Sequence, residues 1–276
     1  MRGRARAASS LAALCAVSLG CATALKEPRP LGDLAGLGPG NAPPADPVEI
    51  ATLVSGAEAL FAERDVDKAK TAVLMFLRAA SADKAPIEAL LGAVRAQVWL
   101  TDHETDPRAR VQAAMAAVES AQWCGRLAPL DPECDYWLGA ALGVQARERP
   151  STGLSALPKI EELFRRSAQA LPTLDEAGPE RALALLYVRA PGWPTGPGDP
   201  DLGLRHARTA VELRPDYPPN HLALAEALSA TGDAGAGRLE YRRALDLARA
   251  MAARGDRDAS EWAADAEKGL RDAGVE

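Results

Sequence analysis

The feature that most constrains the fold is an internal repeat of 34 residues near the C-terminus. When the sequence is shifted by 34 positions, the turn, glycine and apolar residues of one unit fall on similar residues of the next. The matched pairs are Gly198-Asp199 with Gly232-Asp233, Gly203 with Gly237, Ala207 with Tyr241, Ala210-Val211 with Ala244-Leu245, and Leu213 with Leu247. A period of this length, with two helices and a tight turn in each unit, predicts helical hairpins stacked in series.

The rest of the chain beyond Pro47 has the same helical character. Apolar residues recur at helical spacing, and Pro or Gly interrupts them at short intervals, which predicts eleven helices and no strand. We therefore predict an all-α, helical-hairpin solenoid of about five hairpins, with a C-terminal helix that caps its open apolar end. The alternative is an all-α domain without repeats.

One hairpin, "NHLALAEALSATGDAGAGRLEYRRALDL", resembles the tetratricopeptide repeat. The positions that carry the resemblance are Leu224, Ala225 and Leu228 in the first helix, Gly232-Asp233 in the turn, and Gly237, Tyr241 and Ala244 in the second helix. The resemblance implies a concave groove lined by the first helix of each hairpin. The matching positions, which we predict to bind a partner or ligand, are Tyr136, Arg181, Leu185, Leu222 and Glu226. The alternatives are ordinary core packing for Tyr136 and a solvated surface charge for Arg181.

A second candidate surface comes from "APGWPTGPGDP", residues 190–200. Leu183 corresponds to Leu224 at a separation of 41, seven more than 34, so the excess lies inside the turn of one hairpin. "ARERPSTGLSALP", residues 146–158, predicts a second lengthened turn one hairpin earlier. Insertions along one edge of a solenoid build a shared rim, and we predict that Trp193 binds a partner or ligand there. The alternative is neutral drift in loop length, which costs little entropy.

The N-terminus predicts export. Basic residues precede an apolar run over residues 7–19, which is too short to span a bilayer, and small residues with Cys21 follow, as in a secretory signal peptide. "SLGCAT" resembles a bacterial lipobox, which implies that Cys21 is lipidated, although Ser18 stands where Leu is usual. The alternative is an ordinary signal peptide with an incidental cysteine. Ala22, in place of Asp, favours an outer-membrane location facing the periplasm.

These features predict three regions: a lipoprotein signal peptide at 1–20, a lipidated flexible tether at 21–47, and a repeat domain at 48–276. Cys124 and Cys134 flank a short turn between two predicted helices, in a compartment that oxidises thiols. We predict that they form a disulfide. The alternative is two buried thiols on separate faces.

The charge and the motifs exclude several classes of function. A net charge of −6 disfavours nucleic-acid binding, which needs a basic surface. The three histidines, His103, His206 and His221, lie in different hairpins, and neither a nucleophile-elbow nor a phosphate-loop motif occurs. We therefore predict no enzyme activity and no catalytic, cofactor or metal site. The alternative is a hydrolase whose site is assembled only in the fold.

Three stretches resemble the TatT component family of tripartite ATP-independent periplasmic (TRAP) transporters: residues 136–150, 177–199 and 210–228. The residues that carry the similarity are Gly178-Pro179, Ala182-Leu183, Tyr187, the run from Ala190 to Pro194, Gly198-Asp199 and Asn220-His221-Leu222. The resemblance implies an accessory lipoprotein that binds a periplasmic solute-binding protein and passes on a small hydrophobic ligand. The alternative is a scaffold for envelope or outer-membrane assembly with an unrelated protein partner.

Overall fold

The computed structural model describes residues 25–36, 46–82 and 85–274. Its helices are α1 (Leu31–Leu34), α2 (Pro47–Phe61), α3 (Val66–Ala80), α4 (Ile87–His103), α5 (Pro107–Leu127), α6 (Pro132–Glu148), α7 (Pro150–Ala170), α8 (Leu174–Arg189), α9 (Pro200–Leu213), α10 (Pro218–Ala230), α11 (Ala234–Ala253) and α12 (Ala259–Asp272). From α2 onwards, each helix packs against the next one in the chain. The even-numbered helices from α2 to α12 also contact one another in series and form one layer.

This arrangement confirms the predicted all-α solenoid. The five hairpins are α2–α3, α4–α5, α6–α7, α8–α9 and α10–α11. Helix α12 caps the last hairpin, because Ala266 packs with Ala244 and Leu245 of α11 in one buried cluster. The apolar face that the last repeat would otherwise expose is thereby covered.

Aspartates at the helix starts explain why the hairpins begin where they do. In six helices the carboxylate of the residue before the helix accepts a hydrogen bond from a backbone N–H in the first turn, a cap that contributes about 1 kcal/mol. These residues are Asp46, Asp65, Asp106, Asp131, Asp199 and Asp233. Four of the same helices begin with Pro, which needs no N–H partner at that position.

The 34-residue register has a packing reason at its glycines. A Cβ atom on Gly203 would lie 3.0 Å from the carbonyl oxygen of Ala184, and one on Gly237 would lie 2.9 Å from that of Ala225. In both hairpins the second helix therefore approaches the backbone of the first helix at the same repeat position, and only glycine fits without a shift.

The prediction of a lengthened turn at residues 146–158 is wrong. Helix α6 ends at Glu148 and α7 begins at Pro150, so only Arg149 separates them. Pro150 occupies the first helical position, where proline is well tolerated, and Pro158 lies inside α7. Buried residues at helical spacing on this segment explain why the helix continues: Thr152, Ala156, Ile160, Leu163 and Phe164.

Part of the segment predicted to be a tether lies against the repeat domain. Helix α1 packs against α3 and α5, and residues 25–30 precede it along α5. The predicted signal peptide and the lipidation site at Cys21 lie outside the described residues. Among the residues that are described, no helix has the length and apolarity needed to cross a membrane.

A disulfide links the second and third hairpins. Cys124 of α5 is bonded to Cys134 of α6, with their Cα atoms 5.4 Å apart. Both side chains are buried, in a cluster with Leu90 and Leu91 of α4. The bond therefore connects the last helix of one hairpin to the first helix of the next, and both cysteine side chains lie in the protein interior.

Candidate binding groove

The layer of even-numbered helices borders two adjoining cavities, which together we call the groove. The first cavity, about 600 Å³, lies between α2, α4, α6 and the α11–α12 turn. The second, about 730 Å³, lies between α8, α10, α12 and the C-terminal end of α4. The two cavities share Trp99, Asp102 and Asp258 in their linings, so they form one continuous surface.

Four of the residues predicted to bind a partner line the second cavity together. Arg181 and Leu185 come from α8, and Leu222 and Glu226 come from α10. Within each helix the two residues are four positions apart, which places their side chains on the same face. Since α8 and α10 are neighbours in one layer, the two pairs face the same space.

Glu226 is held in position by a charged partner from the neighbouring helix. Arg189 donates two hydrogen bonds to its carboxylate, from Nε at 2.7 Å and from Nη2 at 2.6 Å. These bonds raise the pKa of the Arg189 guanidinium. Bidentate pairs of this kind fix orientation as well as charge, so the two side chains present a rigid polar edge to the cavity.

Tyr136, the fifth predicted groove residue, is buried and lines neither cavity. Its hydroxyl donates to Oδ2 of Asp175 at 2.5 Å, and Arg181 donates to the same oxygen at 2.9 Å. Burial, with the Asp175 charge as a second cause, raises the pKa of Tyr136 well above its usual value of 10. Tyr136 therefore meets the groove indirectly, by orienting the carboxylate of Asp175, which does line it.

The backbone around Asp175 makes a short left-handed turn. Asp175, Glu176 and Ala177 have φ angles of 47°, 55° and 64°, a region that costs non-glycine residues about 1–2 kcal/mol each. Arg181 donates to the carbonyl oxygens of Asp175 and Glu176, at 3.2 and 3.0 Å, and the Asn220 side-chain amide donates to that of Glu176 at 3.1 Å. These bonds offset the strain and hold Asp175 at the wall of the first cavity.

Arg181 contributes to this network more than a solvated charge would. Burial alone would lower its pKa, but the neighbouring Tyr136 and Asp175 outweigh that effect and the pKa is raised. It also donates to Oδ1 of Asn220 at 2.9 Å and lies over the ring of Tyr217, 5.2 Å from the centroid. Arg181 therefore connects α8 to α10 and to the turn that begins α8.

The aromatic part of the lining was missed from the sequence. It consists of Phe61, Trp99, Trp137, Tyr217, Tyr241 and Trp262. Trp99 stacks on His103 with ring centroids 3.7 Å apart, and Tyr217 meets Trp262 edge-on at 5.2 Å. The stacking of Trp99 on His103 could have been predicted from their i, i+4 spacing. The place of Trp262 in the lining could not, because α12 lies outside the repeat register.

Charge on the groove is arranged in pairs with a surplus of carboxylates. Glu58 accepts from Arg95 at 2.5 Å, and Asp102 pairs with Arg147 at 2.6 Å. Across both linings Asp and Glu outnumber Lys and Arg. Burial raises the pKa of Asp265, a carboxylate of α12 that faces the second cavity. The groove is therefore aromatic and mildly acidic.

Polar side chains close one side of the groove. Arg64, in the α2–α3 turn, pairs with Asp258 before α12, and Arg257 donates to the carbonyl oxygen of Glu63 at 2.5 Å. In the part of the chain that is described, α12 packs on α10 and α11 and makes no helix packing with α2, α3 or α4. Contact between the two ends of the solenoid therefore depends on the side chains of Arg64, Asp258 and Arg257. We call these contacts the clasp.

Trp193 lies apart from the groove, in the α8–α9 loop. Its side chain is 90% exposed, and it lines neither cavity. The loop itself is ordered by backbone bonds: Gly198 N donates to Pro191 O, and Asp199 N donates to Tyr187 O, both at 2.9 Å. Trp193 is consequently an exposed aromatic side chain on a well-connected loop.

The histidines at positions 206 and 221 each contact one glutamate rather than one another. His206 Nδ1 lies 2.6 Å from Glu180, and His221 Nδ1 lies 2.7 Å from Glu240. Within the described ranges, no three His, Cys, Asp or Glu side chains come together in a way that would hold a metal ion.

The fold is similar to that of two solved structures. One is TTC0263, a thermophilic TPR protein in Thermus thermophilus, with a TM-score of 0.57 at 19% sequence identity, over 79% of this chain and 98% of that chain. The other is the MamA protein, with a TM-score of 0.45 at 15% identity, over 74% of this chain and 94% of that chain. The sequence matches no protein-family model and no curated protein. The likeness to TTC0263 shows that the chain has the tetratricopeptide type of fold.

Proposed function

We propose that this chain is a non-enzymatic scaffold that binds a protein partner in its groove. The observation that carries the proposal is that Arg181, Leu185, Leu222 and Glu226 face one cavity of about 730 Å³. Protein interfaces typically combine apolar and aromatic anchors with a polar rim and fixed charges. Leu185 and Leu222 supply the apolar anchors, and Glu226 with its Arg189 partner supplies the fixed charge of the polar rim.

The charge of the groove favours a particular kind of partner segment. Carboxylates are in surplus along the lining, and Trp99, Trp262 and Tyr217 line the same space. Basic side chains with long aliphatic stems are attracted by such carboxylates and pack well on aromatic faces. We infer that the partner docks a segment rich in Lys or Arg and apolar residues, and that its association slows as salt is added.

We further propose that Cys21 carries a lipid that anchors the chain to a bacterial envelope membrane, with the repeat domain in the periplasm. The lipobox-like "SLGCAT" and the preceding apolar run support this location. The resemblance to the TatT component family supports a periplasmic solute-binding protein as the partner, and with it an accessory role in TRAP-type solute uptake.

Affinity capture from envelope extracts tests both the binding groove and the role in solute uptake. The bait is the full chain, compared with Leu185→Asp in the groove and with Leu239→Asp, a matched change at an exposed leucine of α11 outside both cavities. We expect one solute-binding protein to be enriched by the wild type and the control but not by Leu185→Asp. Recovery of envelope-assembly proteins alone would contradict the transport role, and equal capture by all three baits would contradict the groove.

A further inference from the structure

The segment before α1 lies along the C-terminal half of α5. Arg29 pairs with Glu119 at 2.7 Å, and its carbonyl oxygen accepts from Nε1 of Trp123 at 2.7 Å. The side-chain amide of Gln122 donates to the carbonyl oxygen of Lys26 at 3.0 Å. Backbone and side chains of this segment therefore both have partners on α5.

These contacts place the segment beside the C-terminal end of α5. Glu27 pairs with Arg126 at 2.8 Å, and the carbonyl oxygen of Lys26 is bonded to Gln122, one turn earlier in α5. Since α5 ends at Leu127, one residue after Arg126, Glu27 lies beside the start of the α5–α6 turn.

Cys21 lies close to the start of the docked segment by covalent geometry alone. Leu25 is the first described residue, four positions after Cys21. A fully extended chain covers at most about 3.5 Å per residue, so the two Cα atoms are no more than about 14 Å apart. A lipid on Cys21 would consequently hold this end of α5 at the membrane surface.

The same turn exposes apolar side chains. Leu130 is 93% exposed and Leu127 is 54% exposed, and Leu25, two residues before Glu27 in the chain, is 37% exposed. Single exposed leucines are common on protein surfaces. Here two of them lie at the turn next to Glu27, and the third lies four residues after the predicted lipidation site, where a bilayer surface would be within reach.

The α5–α6 turn connects one hairpin to the next, whereas the loop with Trp193 lies within a hairpin. Because successive helices run in opposite directions, these two kinds of turn lie on opposite edges of the solenoid. An orientation with Leu130 at the membrane therefore directs Trp193 away from it.

We propose that the α5–α6 turn is the membrane-facing edge of the domain, with Leu25, Leu127 and Leu130 inserted at the lipid interface. This inference rests on the lipid anchor of the proposed function. It means that the docked segment 25–30 acts as a short strap and gives the domain one orientation. One lipid signal is commonly reinforced by a second contact with the bilayer, which these leucines supply.

Depth measurements on the lipidated full chain test the orientation. A nitroxide label is attached at Leu130→Cys, and separately at Leu239→Cys as a control, because both leucines are exposed and neither change should disturb folding. The labelled proteins are reconstituted in phosphatidylethanolamine–phosphatidylglycerol vesicles, and collision with a water-soluble nickel chelate is measured by electron paramagnetic resonance. We expect a loss of collision at position 130 and none at position 239.

Two further measurements distinguish the lipid anchor from the orientation of the domain: the mass of the N-terminal peptide and cosedimentation with vesicles. A lipidated, cosedimenting protein whose label at 130 remains as accessible as that at 239 would overturn the orientation and leave the anchor standing. A chain without an acyl mass that fails to cosediment would overturn both.

Discussion

Arg64 and Asp258, 194 positions apart in the sequence, are joined by two hydrogen bonds, from Nε of Arg64 to the two carboxylate oxygens at 2.8 and 2.9 Å. This pair connects the first hairpin to the turn before the capping helix α12. Both side chains are about one quarter exposed. The clasp therefore consists of partly exposed polar contacts, each of which contributes little to stability.

The clasp predicts a small, salt-sensitive coupling energy. A double-mutant cycle of Arg64→Ala and Asp258→Ala, measured by urea unfolding, should give about 1 kcal/mol in low salt and less in high salt. The more exposed pair of Arg249 and Glu267, between α11 and α12, is the matched control and should give a smaller coupling energy. Coupling of zero in low salt would mean that Arg64 and Asp258 are not paired in solution.

The disulfide should stabilise the domain measurably. Closing a loop of the length between Cys124 and Cys134 removes chain entropy from the unfolded state, which corresponds to about 3 kcal/mol. The double variant Cys124→Ala/Cys134→Ala should unfold at correspondingly lower urea concentration than the oxidised protein. Peptide mapping without reductant should show the two cysteines joined, and free thiols at these positions would refute the pairing.

The tyrosines predict how stability depends on alkaline pH. Burial raises the pKa of Tyr136 well above 10 and that of Tyr217 to about 12. At about pH 10.5 the unfolded chain releases protons that the folded chain keeps, so the free energy of unfolding should fall as pH rises above about 10. Tyr136→Phe should make this decline shallower.

Absorbance of tyrosinate provides the check. The folded protein should show little tyrosinate at a pH where the chain in denaturant is largely ionised. Ordinary titration of all four tyrosines in the folded protein would contradict the burial of Tyr136 and Tyr217.

We expect the side chain of Trp193 to contribute little to the stability of the fold. Because the side chain is exposed, Trp193→Ala should change the free energy of unfolding by less than about 0.5 kcal/mol. Trp262→Ala, which removes the edge-on contact with Tyr217, should cost more than about 1 kcal/mol. If Trp193→Ala proves as costly as Trp262→Ala in thermal unfolding, the indole packs on the protein.

The helices and most of the groove positions could be predicted from the sequence because the repeats share one register. The helices follow from apolar periodicity between breakers, and the groove positions Arg181, Leu185, Leu222 and Glu226 follow from two hairpins in the same register. The prediction of a lengthened turn over residues 146–158 is wrong because Pro150 occupies the first helical position, where proline is tolerated, and because packing outweighs the cost of Pro158 inside the helix. Here the buried face of Ala156 and Ile160 keeps the segment helical.

Other features depend on contacts that no local pattern encodes. The burial of Tyr136 depends on the left-handed turn at Asp175, which Arg181 and Asn220 hold from two different helices. The clasp joins residues 194 positions apart. The sequence predicts helix faces well, but a side chain that bridges distant hairpins becomes visible only when the superhelix is assembled.

The central claim is that the groove binds the partner. The most direct measurement is calorimetric titration of the captured partner into the wild type, Leu185→Asp and Leu239→Asp. We predict that affinity falls at least about tenfold for Leu185→Asp, a loss of about 1.4 kcal/mol, and is unchanged for Leu239→Asp. Equal affinities for all three proteins, with equal melting temperatures, would contradict the account.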